Sequence, residues 1–482
     1  MTACPHIRES GECSCGAEPS GDAWSWSGKC DFSGFCSSDS CESFTAKTLT
    51  ANLLQFVVRC PPEFSYVPIC FGMSTSPDVY ESESAAIYNR SFWLAYGANM
   101  SLVAANTMTF RFAEFVDLLK GTKTDTGWIV GLALAGSLIS RFWLGQAIDR
   151  YGVRKLWLVG SALFLAGCAG LWSTDALGTQ IYLARAAYQI GISAMFVCSN
   201  LHIQLRVPPH RRTEAIGSLG SSGFVGMIVG AQLVDVLFDR FSGAVLFETL
   251  FAGTIGFGIL YIIFVLLLTH TDVHVSPEVT PPAHVLVRRY WPGPVVLVSL
   301  MMGLGFSVTM VFLTRLATER HLDGVRYFFT GYAVAAFTVR LLTRTWSRTI
   351  GRRSMILLGL LGHAIGHAWL IFVQSEAQFI GPALCIGFGH ALLFPCVVSM
   401  GAETFPEQYR GTGTTMILAF ADLGMALTSP ILGRILDQWG FTVMLSATSL
   451  SLVASVGLYA FLSLGHRDVD LHYGKKNVNH GA

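Results

Sequence analysis

From about residue 90 to residue 465 the chain alternates between long apolar runs and short polar links. The runs fall at 92–113, 127–148, 155–173, 179–205, 215–238, 247–269, 292–315, 326–345, 354–374, 378–401, 412–436 and 441–464. Each is close to the ~20 residues a helix needs to cross about 30 Å of hydrocarbon. Backbone groups in lipid must be bonded internally, so runs of this length predict helices and not open strands. The pattern predicts an all-α membrane protein with twelve transmembrane helices.

Composition narrows the class. Of 482 residues, 52% are hydrophobic and 13% charged, and mean hydropathy is +0.50. The charged share is about half that of a soluble domain, and such hydrophobicity also argues against disorder. A net charge of +1 leaves no electrostatic footprint for nucleic acid. The distribution of charge says more. The links after runs 2, 4, 6, 8 and 10 carry Arg150, Arg154, Lys155, Arg206, Arg211, Arg212, Arg288, Arg289, Arg348, Arg352, Arg353 and Arg410. The links on the other side carry only Lys120, Lys123, Arg240, Arg320 and Arg326. The positive-inside rule then predicts that both termini are cytoplasmic.

The first 89 residues differ in kind. Eight of twelve cysteines precede Met73, at spacings that match no zinc signature. This stretch is expected to be a disordered cytoplasmic tail, with Met73 opening an ordinary polar start and residues 1–72 extraneous to the native chain. Beyond it, 90–269 and 292–465 read as two six-helix bundles. The polar, Pro-containing stretch 270–291 is the cytoplasmic linker between them, and 466–482 is a C-terminal cytoplasmic tail.

The two bundles repeat. Arg141, Gly152 and Arg154 recur as Arg340, Gly351 and Arg353, 199 residues on. Pro208, Arg212, Gly226, Met227 and Asp239 recur as Pro406, Arg410, Gly424, Met425 and Asp437, 198 residues on. A six-span unit repeated in tandem implies a pseudo-two-fold axis along the membrane normal, with a binding site between the halves near midplane.

One motif is specific. After run 2 comes Gly145-Gln-Ala-Ile-Asp149-Arg150-Tyr-Gly152-Val-Arg154-Lys155. It resembles the signature loop of the major facilitator superfamily. The resemblance implies that family's fold of two pseudo-symmetric six-helix bundles. It also implies a cytoplasmic gating loop of Gly145, Asp149, Arg150, Gly152, Arg154 and Lys155 that stabilises the outward-open state. Asp149 can lie at the N-terminus of the helix beginning near Gly411, where the helix dipole favours an anion. The second copy has Arg344, Arg348 and Thr349 at the Gly, Asp and Arg positions, so the latch is expected to be stronger on the N-terminal half.

Other segments resemble further family motifs. Arg185-Ala-Ala-Tyr188-Gln189-Ile-Gly191 is similar to the fourth-helix pattern whose Arg is linked to proton coupling. The alternative is a structural ion pair with Asp235. Gly226-x3-Gly230-Ala231 is similar to a fifth-helix antiporter motif but has Ala where that motif has Pro, and small-residue helix packing also accounts for it. The resemblance further implies that runs 1, 4, 7 and 10 line a cavity. Candidate cavity residues are Asn99, Asn106, Arg111, Tyr188, Gln189, Gln232, Thr309 and Arg315. His390 and Asp422 sit near midplane by count along their runs. As a buried pair they would exchange a proton in the physiological range, and the alternative is a packing pair. Together with Arg185 they are the candidate proton-coupling residues. Arg141 and Arg340 lie deeper and are expected to be ion-paired.

No catalytic constellation, metal site or cofactor motif stands out. His363 and His367 share a helix face but have no carboxylate or thiol beside them in sequence. The expectation is therefore a monomeric secondary transporter in the plasma or inner membrane, with the lipid bilayer, a small solute and a proton as partners. The favoured function is proton-coupled efflux of a metabolite, sugar-like compound or drug. Its rivals are an uptake permease for an organic anion, suited by Arg111, Arg185 and Arg315, and a transporter-like receptor or scaffold without turnover.

Overall fold

A computed structural model of the protein describes residues 87–322 and 324–464, and five short strands nearer the N-terminus. The chain divides into two units, 1–86 and 87–482. In the first, β1 (Ala17–Ser20) pairs antiparallel with β2 (Ala23–Trp26). A second antiparallel sheet has the order β3 (Phe44–Thr50), β4 (Leu53–Val58), β5 (Ile69–Phe71). These segments differ from the structureless tail expected there. The rest of that tail, its cysteine side chains and the C-terminal tail lie outside the described residues.

The second unit is helical. Its first half holds α1 (Arg90–Met108), α2 (Phe112–Leu118), α3 (Lys123–Tyr151), α4 (Val153–Trp172), α5 (Thr179–Arg206), α6 (Arg212–Arg240) and α7 (Gly243–Thr269). After α8 (Ala283–Arg289) in the linker come α9 (Val295–Ser307), α10 (Leu313–Glu319), α11 (Arg326–Leu342), α12 (Trp346–Thr349), α13 (Arg352–Trp369), α14 (Ile380–Glu403) and α15 (Arg410–Leu462). Each of the twelve expected runs is helical over most of its length. By length and hydropathy, nine helices among the described residues qualify as membrane spans. The difference has local causes. Asn99, Ser101, Asn106 and Thr107 dilute α1, and α11 has only 17 residues. Runs 11 and 12 are two helices that meet at a kink at Gly440, where the backbone leaves helical geometry with φ 77°, and with so short a join they count as one span.

Local chemistry sets the helix ends. The Asn89 side chain caps α1 by accepting from Phe92 N at 3.0 Å, and Thr122 and Asp125 form a capping box on α3. Gly152, at φ 91°, turns α3 into α4, and its repeat mate Gly351, at φ 83°, precedes α13. The repeat also governs packing. A Cβ on Gly226 would lie 2.3 Å from the Met100 carbonyl oxygen, and one on Gly424 the same distance from that of Leu300. Each glycine thus brings a helix backbone against its neighbour, α6 on α1 and α15 on α9. Packing by small residues accounts for the Gly226-x3-Gly230 motif here. Leu183, Leu342, Leu450 and Phe461 are exposed. So wide a scatter of exposed apolar side chains along long apolar helices suits hydrocarbon as the surrounding solvent.

Candidate functional site

Polar contacts join the halves at the end bearing the arginine-rich links. Asp149, in the last turn of α3, is buried and points its carboxylate at the first residues of α15 in the other half. One oxygen accepts from Gly411 N at 2.7 Å, and the other from Thr412 N at 3.0 Å and from the Thr412 hydroxyl. This is an anion on the unsatisfied amides of a helix N-terminus. Gly145, one turn back, lies so near that a Cβ there would be 2.7 Å from Thr412 Cα.

The second half has its own latch. Arg348 Nη2 donates to Glu214 Oε2 at 3.0 Å. Glu214 is buried in the first turn of α6, where Arg211 and Tyr88 also donate to it. Arg348 stands 199 residues after Asp149, and Glu214 stands 198 before Thr412. The loop expected to be degenerate therefore closes the same gap with the charges exchanged. Thr213 and Ser399 hydroxyls, 2.8 Å apart, join the halves beside it.

The loop's remaining basic residues face the linker. Arg154 Nη1 reaches the His270 carbonyl at 3.5 Å, Ser276 Oγ donates to the Arg150 carbonyl at 2.7 Å, and Lys155 is exposed. They border an open cavity of about 1330 Å³ under residues 271–280. Asp272 closes one side, paired with His202 Nδ1 at 3.4 Å and with Arg206. Burial pushes the Asp272 carboxyl up, but its hydrogen bonds and charge contacts with His202 and Arg206 outweigh that and hold it below the usual range. Tyr409 ties the linker to the C-terminal half, its hydroxyl donating to the Val279 carbonyl at 3.0 Å.

Deeper in, the expected pairing of His390 with Asp422 does not form. Asp422 is held by Arg141 at 2.7 Å, across the halves. His390 lies instead among the rings of Phe224, Phe306, Tyr332 and Phe394, with centroids 5.2–6.3 Å away. Counting along a run gives depth but not the direction a side chain takes around its helix. Arg340 also departs from expectation. It has no ion pair among the described residues, and its guanidinium lies over Phe224 at 4.8 Å and Phe394 at 5.5 Å.

In the first half, Arg185 likewise lacks an acidic partner among the described residues. It stacks on Phe112 at 4.6 Å and Tyr188 at 4.7 Å, while Asp235 is exposed. The Tyr188 hydroxyl donates to Asn106 Oδ1 at 2.8 Å and lies 2.8 Å from Thr109 Oγ1. Asn99 donates to Ser222 at 2.8 Å. These three polar candidates thus tie α1 to α5 and α6. Gln189 is half-buried, Gln232 is exposed, and Thr309 bonds back to the Gly305 carbonyl. The outer arginines do not gather into a cluster. Arg111 pairs with Glu114 at 3.0 Å, and Arg315 pairs with Asp437 at 3.5 Å. His363 and His367 stack within one helix, and no metal-binding group is found among the described residues.

A family model described as Major Facilitator Superfamily matches residues 91–342 and 295–477. The chain belongs to the major facilitator superfamily. It is a multi-pass membrane transporter and not an enzyme. An uncharacterized MFS-type transporter of Escherichia coli K12, YhhS, is 24% identical over 391 residues, covering 74% of this chain and 92% of that protein. The E. coli fucose:proton symporter FucP shares the fold with a TM-score of 0.61 at 15% identity, over 77% of this chain and 98% of its own. The human organic anion transporter MFSD10 does so with a TM-score of 0.62 at 12% identity, over 77% and 99%.

Proposed function

We propose that this member of the superfamily is a secondary active transporter that moves a small solute by alternating access, in a state closed at the arginine-rich end. With that end cytoplasmic, as its charge implies, the state is outward-open. The observation that carries the reading is the Asp149 carboxylate on the Gly411 and Thr412 amides. A contact between backbone and a buried charge from opposite halves must break whenever that end opens. At the other end, the Arg111–Glu114, Arg315–Asp437 and Arg326–Glu376 pairs each stay within one half.

The proton is the proposed coupling ion, and Asp422 its carrier. The ionised carboxylate holds Arg141 across the halves, so protonation removes one of the ties between them. Export of a metabolite or drug is the proposed direction, by a monomer in the plasma or inner membrane. Uptake of an organic anion is the second reading, favoured by Arg340, which has no ion pair among the described residues. The test is solute counterflow and pH-jump uptake in proteoliposomes of known orientation. Asp422→Asn should abolish the response to the pH jump and leave counterflow at least partly intact. An unchanged pH response removes Asp422 from coupling, and no counterflow of any solute by the wild type removes transport itself.

A further inference from the structure

The internal repeat sets two arginines in equivalent places and gives them different neighbours. Arg141 and Arg340 are 199 residues apart, and Asp422 and Phe224 are 198 apart. Between α3 and α15 the arginine meets a carboxylate at 2.7 Å. Between α11 and α6 it meets the face of a phenyl ring at 4.8 Å. The second copy thus keeps the cation and has a ring where the first has the counter-charge. A guanidinium in a low-dielectric interior is costly without an anion, and ring faces offset only part of that cost.

We infer that Arg340, His390 and the rings around them form the recognition site for a small organic anion, a carboxylate carried on a flat apolar group. The inference rests on the transport reading and names its substrate class. Arg340 is 4% exposed with Nε unpartnered, and His390 is 8% exposed with Nδ1 unpartnered. Phe224 comes from the first half, and Phe306, Tyr332 and Phe394 from the second. A ligand seated there touches both halves, as a solute that drives their rocking must. The chemistry of the set selects the ligand. A guanidinium fork matches a carboxylate, and the imidazole adds a hydrogen bond. The rings accept a flat apolar body by face or edge. A cation would be repelled by Arg340. A sugar would find the Tyr332 hydroxyl, His390 and Arg340 but little else among these side chains to bond its hydroxyls.

The test uses the full chain in detergent, with 3-phenylpropanoate as probe and its neutral amide as control. The carboxylate at saturating concentration should raise the melting temperature by ~3 °C, and the amide should not. Arg340→Gln should lose the shift. So should Phe224→Glu, which gives Arg340 the counter-charge that Arg141 has, and this second variant keeps the test open if the first folds poorly. Arg240→Gln, at an exposed link residue, should retain it. Equal shifts with acid and amide, shifts that survive both variants, or no shift with phenylpropanoate, benzoate or indole-3-acetate at millimolar concentration would each overturn the assignment. Counterflow of phenylpropanoate separates the two claims. Binding that depends on Arg340 without counterflow supports the site and sinks the transport reading. Counterflow of a neutral solute, unchanged in Arg340→Gln, does the reverse.

Discussion

Asp149 and Arg348 occupy the same point of the repeat, each at the loop end of a helix facing the first turn of a helix in the opposite half. Asp149 takes hold of backbone amides, which every residue except proline supplies. Arg348 takes hold of one side chain, Glu214, which a single substitution removes. The first latch is therefore specified from one side and the second from both. The repeat preserved where the halves close but not the charge that closes them. Sequence similarity to a motif reports the first kind of latch well and the second kind poorly.

The largest expected effect comes from cutting the amide latch. Asp149→Ala removes three charge-assisted hydrogen bonds and leaves two helix-terminal amides unsatisfied, a loss of about 3–5 kcal/mol for the closed end. Cysteine labelling at position 213 should then become fast from the arginine-rich side. Labelling as slow as in the wild-type background would mean that Asp149 does not hold this end shut. Arg348→Glu should cost somewhat less, about 2–4 kcal/mol, because Arg211 and Tyr88 remain near Glu214. The exchange Arg348→Glu with Glu214→Arg should recover part of that loss in a double-mutant cycle. Additivity of the two single changes would show that they do not act as a pair.

Smaller effects test the linker. The folded-state pKa of Asp272 is held below its ordinary value of 3.8. Its contribution is therefore present in full above about pH 4 and is lost as the pH falls through the lower, folded value. Asp272→Asn should cost about 1 kcal/mol at neutral pH and flatten the acid limb of the stability curve. A steeper limb would contradict the assignment. Smallest of all, Arg315→Gln should change stability by less than ~0.5 kcal/mol, since both partners of that pair are mostly exposed.

The helices and the Asp149 docking point were legible because each rests on a short-range pattern. Apolar run length reports helices, and one eleven-residue motif reports the loop and its neighbour. Arg348–Glu214 was not legible from its loop, because the residues are 134 positions apart and Arg348 looked like the loss of an Asp. The His390–Asp422 pairing failed because depth does not tell which way a side chain turns. The signal that would have found the true partners was the repeat offset, applied to contacts instead of identities. It maps Thr412 on Glu214 and Asp422 on Phe224.

The linker that joins the halves is stitched unevenly. Its first part is fastened to the N-terminal bundle through Asp272, His270 and Ser276. Its second part is fastened to the C-terminal half from Val279, which Tyr409 holds, to Ala283 of α8, which is buried against Met416 and Ala419 of α15. Between Ser276, on the first bundle, and Val279, held by Tyr409 of the second, lie only Pro277 and Glu278. Prolines favour an extended path of about 3.1 Å per residue, so this joint is closer to a stiff strut than to a rope. When the bundles rock, torsion on the connection concentrates in those two residues. A protease that cuts there would sever the covalent tether while leaving each bundle with the share of the linker already bound to it.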